Sequence, residues 1–393
     1  MTERFDVVII GGAMMGSSVA WWLSRHPDFN GSILVLERDP TFAQASTTHS
    51  NSCIRQQFGS EINIRISQFG AEFLKNWRDY LGSAAPKPAF REFGYLYLAA
   101  DEPFADALRA NHALQTDLGA GTVLLSPEEI TARYPMIDPT GLLLGSLGTR
   151  DEGYFDGHGI LAIWREQAKA AGVTRRTAEV TGLRRTGAHI TTVCLADGST
   201  ITAGAVVNCS GPSAAYTAQM AGLDLPVAPQ KAYSFLFDVA EPLPLDLPLT
   251  ITPNGVHVRP ESRSSYLAGC MDAAGPGADY DDFQMDHALW MDLVWPTLAE
   301  RIPVFERIKL RTDWVGHYAI NTLDHNAIVG AHPEAGNFYL CNGFSGHGLQ
   351  QSPAMGRGLA ELIATGRYQT LDLSPLGYER VAERTPLVER AVI

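Results

Sequence analysis

The sequence predicts an α/β fold that contains a dinucleotide-binding domain of the Rossmann type, and three features of its first forty residues carry this prediction. An apolar run over residues 6–10 predicts a buried strand, and a glycine-rich turn over 11–16 follows it directly. A helical stretch over 17–25 comes next, and a second apolar run over 33–36 ends at Glu37. Strand, glycine turn, helix, strand and acid, in this order, are typical of a dinucleotide pocket.

The glycine turn is expected to bind a pyrophosphate, because its backbone N–H groups lie at a helix N-terminus, where the helix dipole favours an anion. The middle glycine of the G-x-G-x-x-G pattern is Ala13, so a methyl group must be accommodated there. Glu37 follows Gly16 by roughly 20 residues, the spacing at which a carboxylate binds a ribose. The expected ADP-binding residues are Gly11, Gly12, Ala13, Met14, Met15, Gly16, Glu37 and Arg38.

Composition and charge exclude several classes of protein. The chain has 393 residues, of which 45% are hydrophobic, and a formal net charge of −13. Such a charge argues against nucleic-acid binding, which needs clustered Lys and Arg. The five cysteines lack metal-ligand spacing, so we expect reduced thiols, no metal site and a cytoplasmic location. Neither a signal peptide nor an integral membrane segment is expected, because the apolar stretch 7–23 is interrupted by glycines and serines.

Helices and strands alternate along the middle of the chain. A polar loop over 45–53 precedes a segment, 62–80, whose apolar spacing predicts a helix. Ser126 is expected to cap another helix, with Pro127 in its first turn. Further predicted elements are strands over 93–98, 178–180 and 191–195, helices over 104–118 and 156–171, a hairpin turn at Asp197-Gly198, and a buried strand that ends in a glycine turn over 205–211.

Two intertwined domains are expected, because the pattern changes after residue 228 and then returns to the α/β style. Prolines become frequent over 229–320, and the predicted elements there are strands over 233–238, 255–259 and 266–269 and a helix over 285–301. The last segment contains a strand over 338–341 and a helix over 353–366. We therefore predict a dinucleotide-binding domain made of 1–85, 150–228 and 318–393, and a substrate domain made of 86–149 and 229–317.

A second glycine loop, residues 341–351, lies between the last predicted strand and the last predicted helix. Its position is that of a helix-start site for an anion or a cofactor. Alone, the loop could equally be a tight connection. Together with the first glycine turn, the loop favours a flavin cofactor, because a nicotinamide enzyme would not need both turns.

Four stretches of the chain together resemble a known family. The N-terminal fingerprint, 208–212, 322–324 and 343–348 are similar to the D-amino-acid oxidase superfamily of flavoproteins, in the branch of sarcosine oxidase and dimethylglycine dehydrogenase. Within this branch the chain most resembles the FAD-dependent oxidoreductase domain-containing proteins, through 46–58 and 321–351. The resemblance implies bound FAD and a two-domain architecture like that of glutathione reductase, with an antiparallel-sheet substrate domain.

The resemblance also assigns residues to the cofactor. It places the loop after Glu37 along the ribityl chain and pyrophosphate, and the C-terminal loop near the flavin ring. The residues so implied are Ser46, Thr47, Thr48, His49, Asn51, Val180, Ser210, Gly211, Gly343, Phe344, Gly346, His347, Gly348, Leu349 and Gln350. A histidine at the position of His49 carries a covalent flavin link in dimethylglycine dehydrogenase, but we expect FAD to be bound non-covalently here.

Candidate substrate-binding residues follow from the same resemblance. Arg55 matches an arginine that holds the substrate carboxylate in sarcosine oxidases, a role that suits the planar guanidinium. Gln350 stands where family members often place a carboxylate-binding lysine, and Arg259 is the candidate that would replace its charge. We expect a further group of residues to lie near the flavin, where they could orient the substrate: His257, His317, Tyr318 and His347.

The implied function is FAD-dependent oxidation of the C–N bond of a secondary amino acid, by hydride transfer to flavin N5. The expected substrate is a small molecule such as the N-alkylglycine sarcosine or the imino diacid iminodiacetate, and the electron acceptor is oxygen or another carrier. The strand over 266–269 has no lysine of the kind that activates oxygen in sarcosine oxidases. Alternatives are a dehydrogenase that uses a quinone or a carrier protein, a flavoprotein with an assembly role, and an enzyme acting on a 2-hydroxy acid.

Overall fold

The fold is known from a computed structural model, which describes residues 3–389. Its strands, in chain order, are β1 Glu3–Ile10, β2 Ile33–Glu37, β3 Cys53–Ile54, β4 Phe90–Arg91, β5 Tyr95–Ala99, β6 Thr122–Leu125, β7 Leu144–Gly148, β8 Gly153–Phe155, β9 Thr174–Thr177, β10 Val180–Thr186, β11 His189–Leu195, β12 Thr200–Asn208, β13 Val227–Val239, β14 Leu249–Ile251, β15 His257–Pro260, β16 Ser265–Met271, β17 Ile308–Asn321, β18 Ile328–His332 and β19 Ala335–Asn342.

The helices lie mostly on the faces of the sheets. They are, in chain order, α1 Met14–Leu23, α2 Glu61–Lys75, α3 Trp77–Leu81, α4 Glu102–Asp117, α5 Pro127–Arg133, α6 Gly157–Ala170, α7 Ala214–Gln219, α8 Trp295–Arg301, α9 Gly348–Thr365 and α10 Glu379–Ala382. No helix within residues 3–389 combines the length and the apolar character that crossing a membrane requires.

The first of two large sheets brings together strands that are distant in the chain. Its central order is β9-β2-β1-β12-β19, and all of these neighbours pair in parallel. The antiparallel pair β10 and β11 joins the amino-terminal part of β12, and β18 pairs with β19. Parallel strands with a helical crossover are the doubly wound arrangement that the sequence predicts.

The second large sheet has the order β17-β13-β16-β15-β14-β5-β7-β6. All its neighbours are antiparallel except β14 and β5. A third, small sheet joins β3, β8 and β4. The predicted α/β fold with an antiparallel-sheet second domain is therefore confirmed.

The predicted domain boundaries stay a prediction, although two of them fall within strands. Strand β13 runs across the boundary at 228/229, and β17 runs across the boundary at 317/318. The two strands pair with each other along almost their whole length, from Val227–Asn321 to Val239–Ile308. This long ribbon belongs to the second sheet but reaches the first with its ends at residues 227 and 321.

Several predicted elements begin or end at other residues in the structure. Helix α1 begins at Met14 rather than at residue 17. The segment predicted as one helix over 62–80 forms two, α2 and α3, which meet at Asn76. The helix predicted over 285–301 begins after residue 287, because Asp286 Oδ1 accepts the Ala288 N–H (3.0 Å), and it contains a π turn before α8.

The last long helix also begins earlier than predicted, at Gly348 instead of residue 353. In the sequence, a proline at position 353 predicts a helix start, because proline lacks the N–H that an interior position donates. In the structure the Ser352 hydroxyl donates to the Leu349 carbonyl (2.7 Å), the acceptor that a Pro353 N–H would have used. The proline is therefore tolerated inside the helix. The N-cap predicted at Ser126 is confirmed, and the structure adds a capping box, with reciprocal bonds between Ser126 and Glu129.

Candidate active site and cofactor cleft

A long cleft opens at the edge where the parallel strands of the first sheet end. The carboxyl ends of β1, β2 and β12 form one side of it, as is usual for ligand sites in doubly wound sheets. The cleft encloses about 1470 Å³ together with its open mouth. The glycine turn, the polar loop after β2, the middle of β17 and the C-terminal glycine loop line its remaining sides.

The glycine turn after β1 is built for close approach of backbone to backbone. Gly11 has a φ of +94°, and a Cβ there would lie 2.8 Å from the Cys209 carbonyl carbon. A Cβ on Gly16 would lie 3.0 Å from the Gly11 carbonyl carbon, so only glycine lets α1 begin this close to β1. Ala13 lines the cleft in an ordinary extended conformation (φ −71°, ψ −152°), which explains why its methyl group is accommodated.

The acid predicted to bind the ribose lies at the mouth of the cleft. Glu37 Oε2 accepts the Gly12 N–H (2.7 Å), and its Oε1 accepts the Asp39 N–H (3.0 Å). The neighbouring Arg38 forms an ion pair with Asp281 (2.8 Å) and lies 5.4 Å from the centre of the Tyr280 ring. This end of the cleft is therefore polar and charged.

At the other end, the C-terminal glycine loop is fixed to β17. The Ser345 N–H donates to the Ala319 carbonyl (2.9 Å), and the Asn321 N–H donates to Ser345 Oγ (3.0 Å). A Cβ on Gly346, whose φ is +91°, would lie 2.6 Å from the Tyr318 ring. Glycine at this position therefore lets the loop rest directly on the Tyr318 ring. Both residues line the cleft.

A second, smaller cavity adjoins the cleft and shares Ser46, His317 and Tyr318 with it. It encloses about 400 Å³, including the space at its opening. The residues that line it come from the polar loop and from the second sheet: Ser46, His49, Asn51, Ala232, Tyr233, Ser234, His257, Cys270, Met271, Gly316, His317 and Tyr318. We call it the histidine pocket. Its lining includes no Asp, Glu, Lys or Arg.

The imidazoles of the histidine pocket are neutral. Burial lowers the pKa of His257 to about 4, and its Nε2 lies 2.7 Å from Asn51 Nδ2. Burial, reinforced by the Lys231 charge, also lowers the pKa of His317. Within residues 3–389, neither buried ring nitrogen of His317 makes a hydrogen bond of good geometry, although the backbone and the carboxylate of Asp282 lie close enough to raise its pKa against the effect of burial. A neutral imidazole has one ring nitrogen that can accept a hydrogen bond, and His317 belongs to the lining of both cavities.

Comparison with protein families matches residues 6–362 to the family described as "DAO: FAD dependent oxidoreductase". The chain belongs to this family. It is therefore an FAD-dependent oxidoreductase of the group that oxidises amines and amino acids, and its cofactor is FAD.

Individual relatives agree with the family assignment. The chain is 36% identical over 429 residues to "FAD-dependent oxidoreductase domain-containing protein 1" of Xenopus laevis, covering 100% of this chain and 85% of the relative. It is 25% identical over 385 residues to mitochondrial sarcosine dehydrogenase of Mus musculus, covering 92% of this chain but 40% of the relative. The crystal structure of L-proline dehydrogenase from P. horikoshii superposes with a TM-score of 0.83 at 25% identity, covering 98% and 99% of the two chains.

The cleft of this flavoprotein fits FAD. The charged mouth and the glycine turn suit the ADP part, because the turn presents backbone N–H groups at the start of α1. Apolar side chains, from Met14, Met15, Phe344 and Leu349, line the part of the cleft that suits a flat ring. Many of the residues predicted to bind the cofactor line this cleft: Gly11, Ala13, Met14, Met15, Glu37, Arg38, Ser46, Thr47, Val180, Ser210, Gly211, Phe344, Gly346, Gly348 and Leu349.

The other residues predicted to bind FAD lie outside the cleft lining. Gly12 and Gly16 support the turn from behind, and Thr48 donates to the Phe42 carbonyl (2.7 Å) within its own loop. His49 and Asn51 belong to the histidine pocket, and His49 Nε2 lies 2.8 Å from the Ala43 carbonyl. Non-covalent attachment of FAD, like the cofactor role of each residue, stays a prediction. The remaining residues of this group are Gly343, His347 and Gln350.

Three predicted site residues lie in contact with one another behind the wall of the cleft: Arg55, His347 and Gln350. Gln350 Oε1 accepts the Arg55 N–H (2.8 Å), and Arg55 Nη2 lies 2.9 Å from His347 Nε2. The Arg55 guanidinium also donates to the Gln57 carbonyl and lies 3.9 Å from the centre of the Phe58 ring. Arg55 is 1% exposed and lines neither cavity, so its predicted contact with a carboxylate stays a prediction.

Arg259 is likewise engaged with protein groups. Its Nη1 forms an ion pair with Glu261 (2.5 Å), and its guanidinium lies 5.1 Å from the centre of the Tyr154 ring. It lies two residues beyond His257 on β15, but it does not line the histidine pocket. Its predicted role as a second cation for the substrate also stays a prediction.

Sequence reasoning missed several residues that line the cleft or lie behind it. Tyr216 and Tyr280 line its charged end, and Phe42 lies beside the polar loop. Arg175, on β9, donates to the Gly12 carbonyl (2.9 Å) behind the glycine turn. A basic residue in a strand next to the strand of Glu37 was a signal that could have indicated Arg175. No such signal existed for Tyr280, because its place depends on how the second sheet meets the first.

Proposed function

We propose that this flavoprotein oxidises the C–N bond of a secondary amino acid, for example the N-alkylglycine sarcosine or the imino diacid iminodiacetate. The resulting imine would hydrolyse to an amine and an aldehyde or keto acid. The observation that carries the proposal is the histidine pocket, whose uncharged lining and neutral imidazoles suit an amine nitrogen. Two relatives support it, because their names refer to sarcosine and L-proline, which are both secondary amino acids.

FAD, when bound, supplies the oxidation by accepting a hydride equivalent from the carbon next to nitrogen. The residues of the chain select the form of the substrate that can react. A buried site whose lining contains no carboxylate disfavours an ammonium ion, so the amine would bind in its neutral form. His317 would accept the hydrogen bond of this amine, because its imidazole is neutral and the residue lines both cavities.

Tyr318 would orient the substrate from the wall that the two cavities share. Burial raises the pKa of its phenol, so the hydroxyl stays protonated and can donate a hydrogen bond to a carboxylate. The charge of Arg55 acts on the same phenol in the opposite direction, which means that Arg55 is electrostatically close to it. We propose that Arg55 attracts the substrate carboxylate by this charge from behind the wall. An imino diacid would need a second cation, and Arg259 would have to exchange its bond to Glu261 for it.

Anaerobic titration of the FAD-loaded protein tests the proposal. Sarcosine, L-proline and iminodiacetate are added in turn, with glycine and glycolate for comparison, and the loss of yellow flavin absorbance is followed. We expect at least one secondary amino acid to bleach the flavin faster than glycine or glycolate does. Bleaching by glycolate alone would indicate a 2-hydroxy acid enzyme, and no bleaching by any compound would indicate a role in assembly; either result contradicts the proposal.

Two histidine variants sharpen the test. His317→Phe keeps a ring of similar size but removes the acceptor, so we expect the rate of bleaching to fall about 10²-fold or more, the loss typical for a proton-handling side chain. His332→Phe is the matched control, because His332 is also buried but lies on β18 against Tyr378 and lines neither cavity. Equal rates in the two variants would remove His317 from the mechanism.

The electron acceptor is determined in the same preparation. Reoxidation of the bleached protein by air, with release of peroxide, is the result expected of an oxidase. Slow reoxidation by air and fast reoxidation by a soluble quinone is the result expected of a dehydrogenase. We favour the dehydrogenase, because no lysine lies on the β16 stretch 266–269 to assist the reaction with oxygen.

A further inference from the structure

The peptide group that joins Gly12 to Ala13 is held at an unusual number of points. The Gly12 carbonyl accepts two hydrogen bonds, one from Ser17 Oγ (2.7 Å) and one from Arg175 Nη2 (2.9 Å). Arg175 Nη1 also lies 3.4 Å from Ser17 Oγ. On the other side of Gly12, its N–H donates to Glu37 Oε2 (2.7 Å). These bonds fix the orientation of the first half of the glycine turn.

The orientation of this peptide determines where its N–H points. In a trans peptide the C=O and the N–H point in opposite directions. Neither Ser17 nor Arg175 lines the cleft, whereas Ala13 does, so the fixed Gly12 carbonyl directs the Ala13 N–H to the cleft side. No acceptor among residues 3–389 takes this N–H. It is therefore a donor available to a ligand.

We propose that Arg175 is a positioning residue for the pyrophosphate of FAD, which acts by holding the Gly12 carbonyl so that the Ala13 N–H faces the phosphates.

The shape of the turn supports this role independently. A Cβ on Gly12 would lie 2.8 Å from Arg175 Nη2, so glycine at position 12 is what admits the guanidinium. The φ of Gly12 is not positive, and a special backbone conformation therefore does not explain the glycine. Ala13 can replace the usual middle glycine, because the fixed peptide does not need the wider range of backbone conformations that glycine allows.

The positive charge of Arg175 supports the same role as its position does. Burial, followed by the nearby charge of Arg165, lowers the pKa of Arg175 to about 10, whereas the charge of Glu37 raises it. Arg175 therefore remains a cation at neutral pH. A cation behind the turn adds to the positive potential of the α1 N-terminus, where the pyrophosphate of a dinucleotide binds.

Affinity for FAD and for ADP tests the proposal without reference to catalysis. Deflavinated protein is titrated with FAD, whose fluorescence reports binding, and ADP and adenosine are then measured by competition. Arg175→Met removes the guanidinium fork and keeps much of the volume. We expect it to weaken FAD and ADP about 10- to 100-fold, the loss of a hydrogen bond made by a charged group. Adenosine, which has no phosphate, should bind this variant as it binds the original protein.

The neighbouring arginine on the same strand provides a matched control. Arg176 lies on β9 next to Arg175, but its guanidinium pairs with Glu3 (2.5 Å) near the surface. Arg176→Met should leave the affinities for FAD and ADP within about twofold of the original values, because exposed ion pairs contribute little. Thermal unfolding of each FAD-free variant shows whether a loss of affinity merely follows a loss of stability.

Three results would overturn the proposal. They are an unchanged ADP affinity in Arg175→Met, an equal loss for ADP and adenosine, and an equal effect of Arg176→Met. If Arg175→Met does not fold, Arg175→Lys decides: a lysine keeps the charge but cannot hold the carbonyl with the same fork, so ADP should bind about 3- to 10-fold more weakly. Full ADP affinity in Arg175→Lys would also overturn the proposal.

Discussion

Arg55 and Glu152 are two almost fully buried ionisable residues behind the cofactor cleft. Both side chains bond to the same short backbone segment, residues 56–57. Glu152 Oε1 accepts the Gln56 N–H (2.7 Å), and Oε2 accepts from Gln57 Nε2 (2.9 Å). Burial nevertheless raises the pKa of Glu152 to about 7, although these bonds and the Arg55 charge act in the opposite direction. Desolvation is thus the larger effect on this carboxyl group.

This pKa predicts how the stability of the protein depends on pH. The folded state binds the Glu152 proton more tightly than the unfolded state, whose pKa has the ordinary value of 4.5. The stabilising contribution is therefore complete below about pH 4.5 and is lost as the pH rises to about 7. The side chain in Glu152→Gln does not titrate, so this variant does not lose stability in the same way. The free energy of unfolding of the variant minus that of the original protein should therefore rise by on the order of 2 kcal/mol between pH 4.5 and pH 8.

Urea unfolding of both proteins at several pH values measures this difference. The glutamine amide can be accommodated if Gln57 turns its own amide over, because the Ser146 hydroxyl, which donates to Gln57 Oε1 in the original protein, can then accept from Gln57 Nε2. The turned Gln57 loses its bond to the Tyr95 carbonyl (3.1 Å), a cost that is the same at every pH. A constant difference between the two proteins from pH 4.5 to pH 8 would show that folding does not raise the pKa of Glu152, which contradicts the prediction.

Among the elements, α1 and α9 form the closest helix pair of the cofactor domain. The Ser18 hydroxyl donates to the Ser352 carbonyl (2.7 Å), so a side chain of one helix bonds to the backbone of the other. Gly356 faces the same contact, and a Cβ there would lie 2.8 Å from the Ser18 carbonyl carbon. Because α9 follows the C-terminal glycine loop directly, this contact holds the loop against the start of α1.

Gly356→Ala should therefore destabilise the protein. Alanine in a helix is intrinsically more favourable than glycine by about 1 kcal/mol, so helix propensity alone predicts the opposite sign. Overpacking against the Ser18 backbone costs about 1–3 kcal/mol, and we expect this cost to exceed the gain. Gly336→Ala is the control, since a Cβ there meets no atom within 4 Å. Denaturant unfolding of both variants distinguishes the cases: a more stable Gly356→Ala protein contradicts the packing argument.

Elements and site could be predicted from sequence wherever the signal was local. The turn after β1, Glu37 and the C-terminal loop were found, because each is a short pattern with its own physical cause. The start of α9 was wrong, because the Ser352 hydroxyl replaces the missing Pro353 N–H in a way that no periodicity reveals. Tyr280 was missed for a different reason: it reaches the cleft from a segment distant in sequence, so only the packing of the elements brings it there. Arg175 lies behind the glycine turn, and a basic residue in the strand next to β2 was a signal that could have indicated it.

At the scale of the whole molecule, one segment between β16 and α8 contacts both the charged end of the cleft and the histidine pocket. We call residues 272–286 the strap. At the charged end, Asp281 pairs with Arg38 (2.8 Å) and the Tyr280 ring lies 6.1 Å from the Tyr216 ring. At the histidine pocket, the Phe283 ring packs edge-on against the His317 ring, with 4.7 Å between the ring centres. The strap thus connects the part of the cleft that suits the ADP group of FAD with the pocket proposed for the amine.

The strap should slow the release of FAD, and its aromatic residue should matter more than its ion pair. Arg38 and Asp281 are both substantially exposed, with side-chain exposures of 36% and 48%, so their attraction is screened and contributes about 0–1 kcal/mol. Tyr280, in contrast, lines the cleft and covers whatever binds there. Aromatic contacts of this kind contribute about 0.5–1.5 kcal/mol beyond the area they bury.

We therefore expect Tyr280→Ala to speed FAD release about tenfold, and Asp281→Asn less than about threefold, with the smaller effect vanishing at high salt. The rate is measured from the rise of flavin fluorescence after dilution of the FAD-loaded protein. Asp279→Asn serves as the control, because Asp279 lies in the same strap but lines neither cavity. If all three variants released FAD at the original rate, the strap would be a passive connection. Equal acceleration by Tyr280→Ala and Asp281→Asn would instead mean that the exposed ion pair holds the strap closed, against the argument from screening.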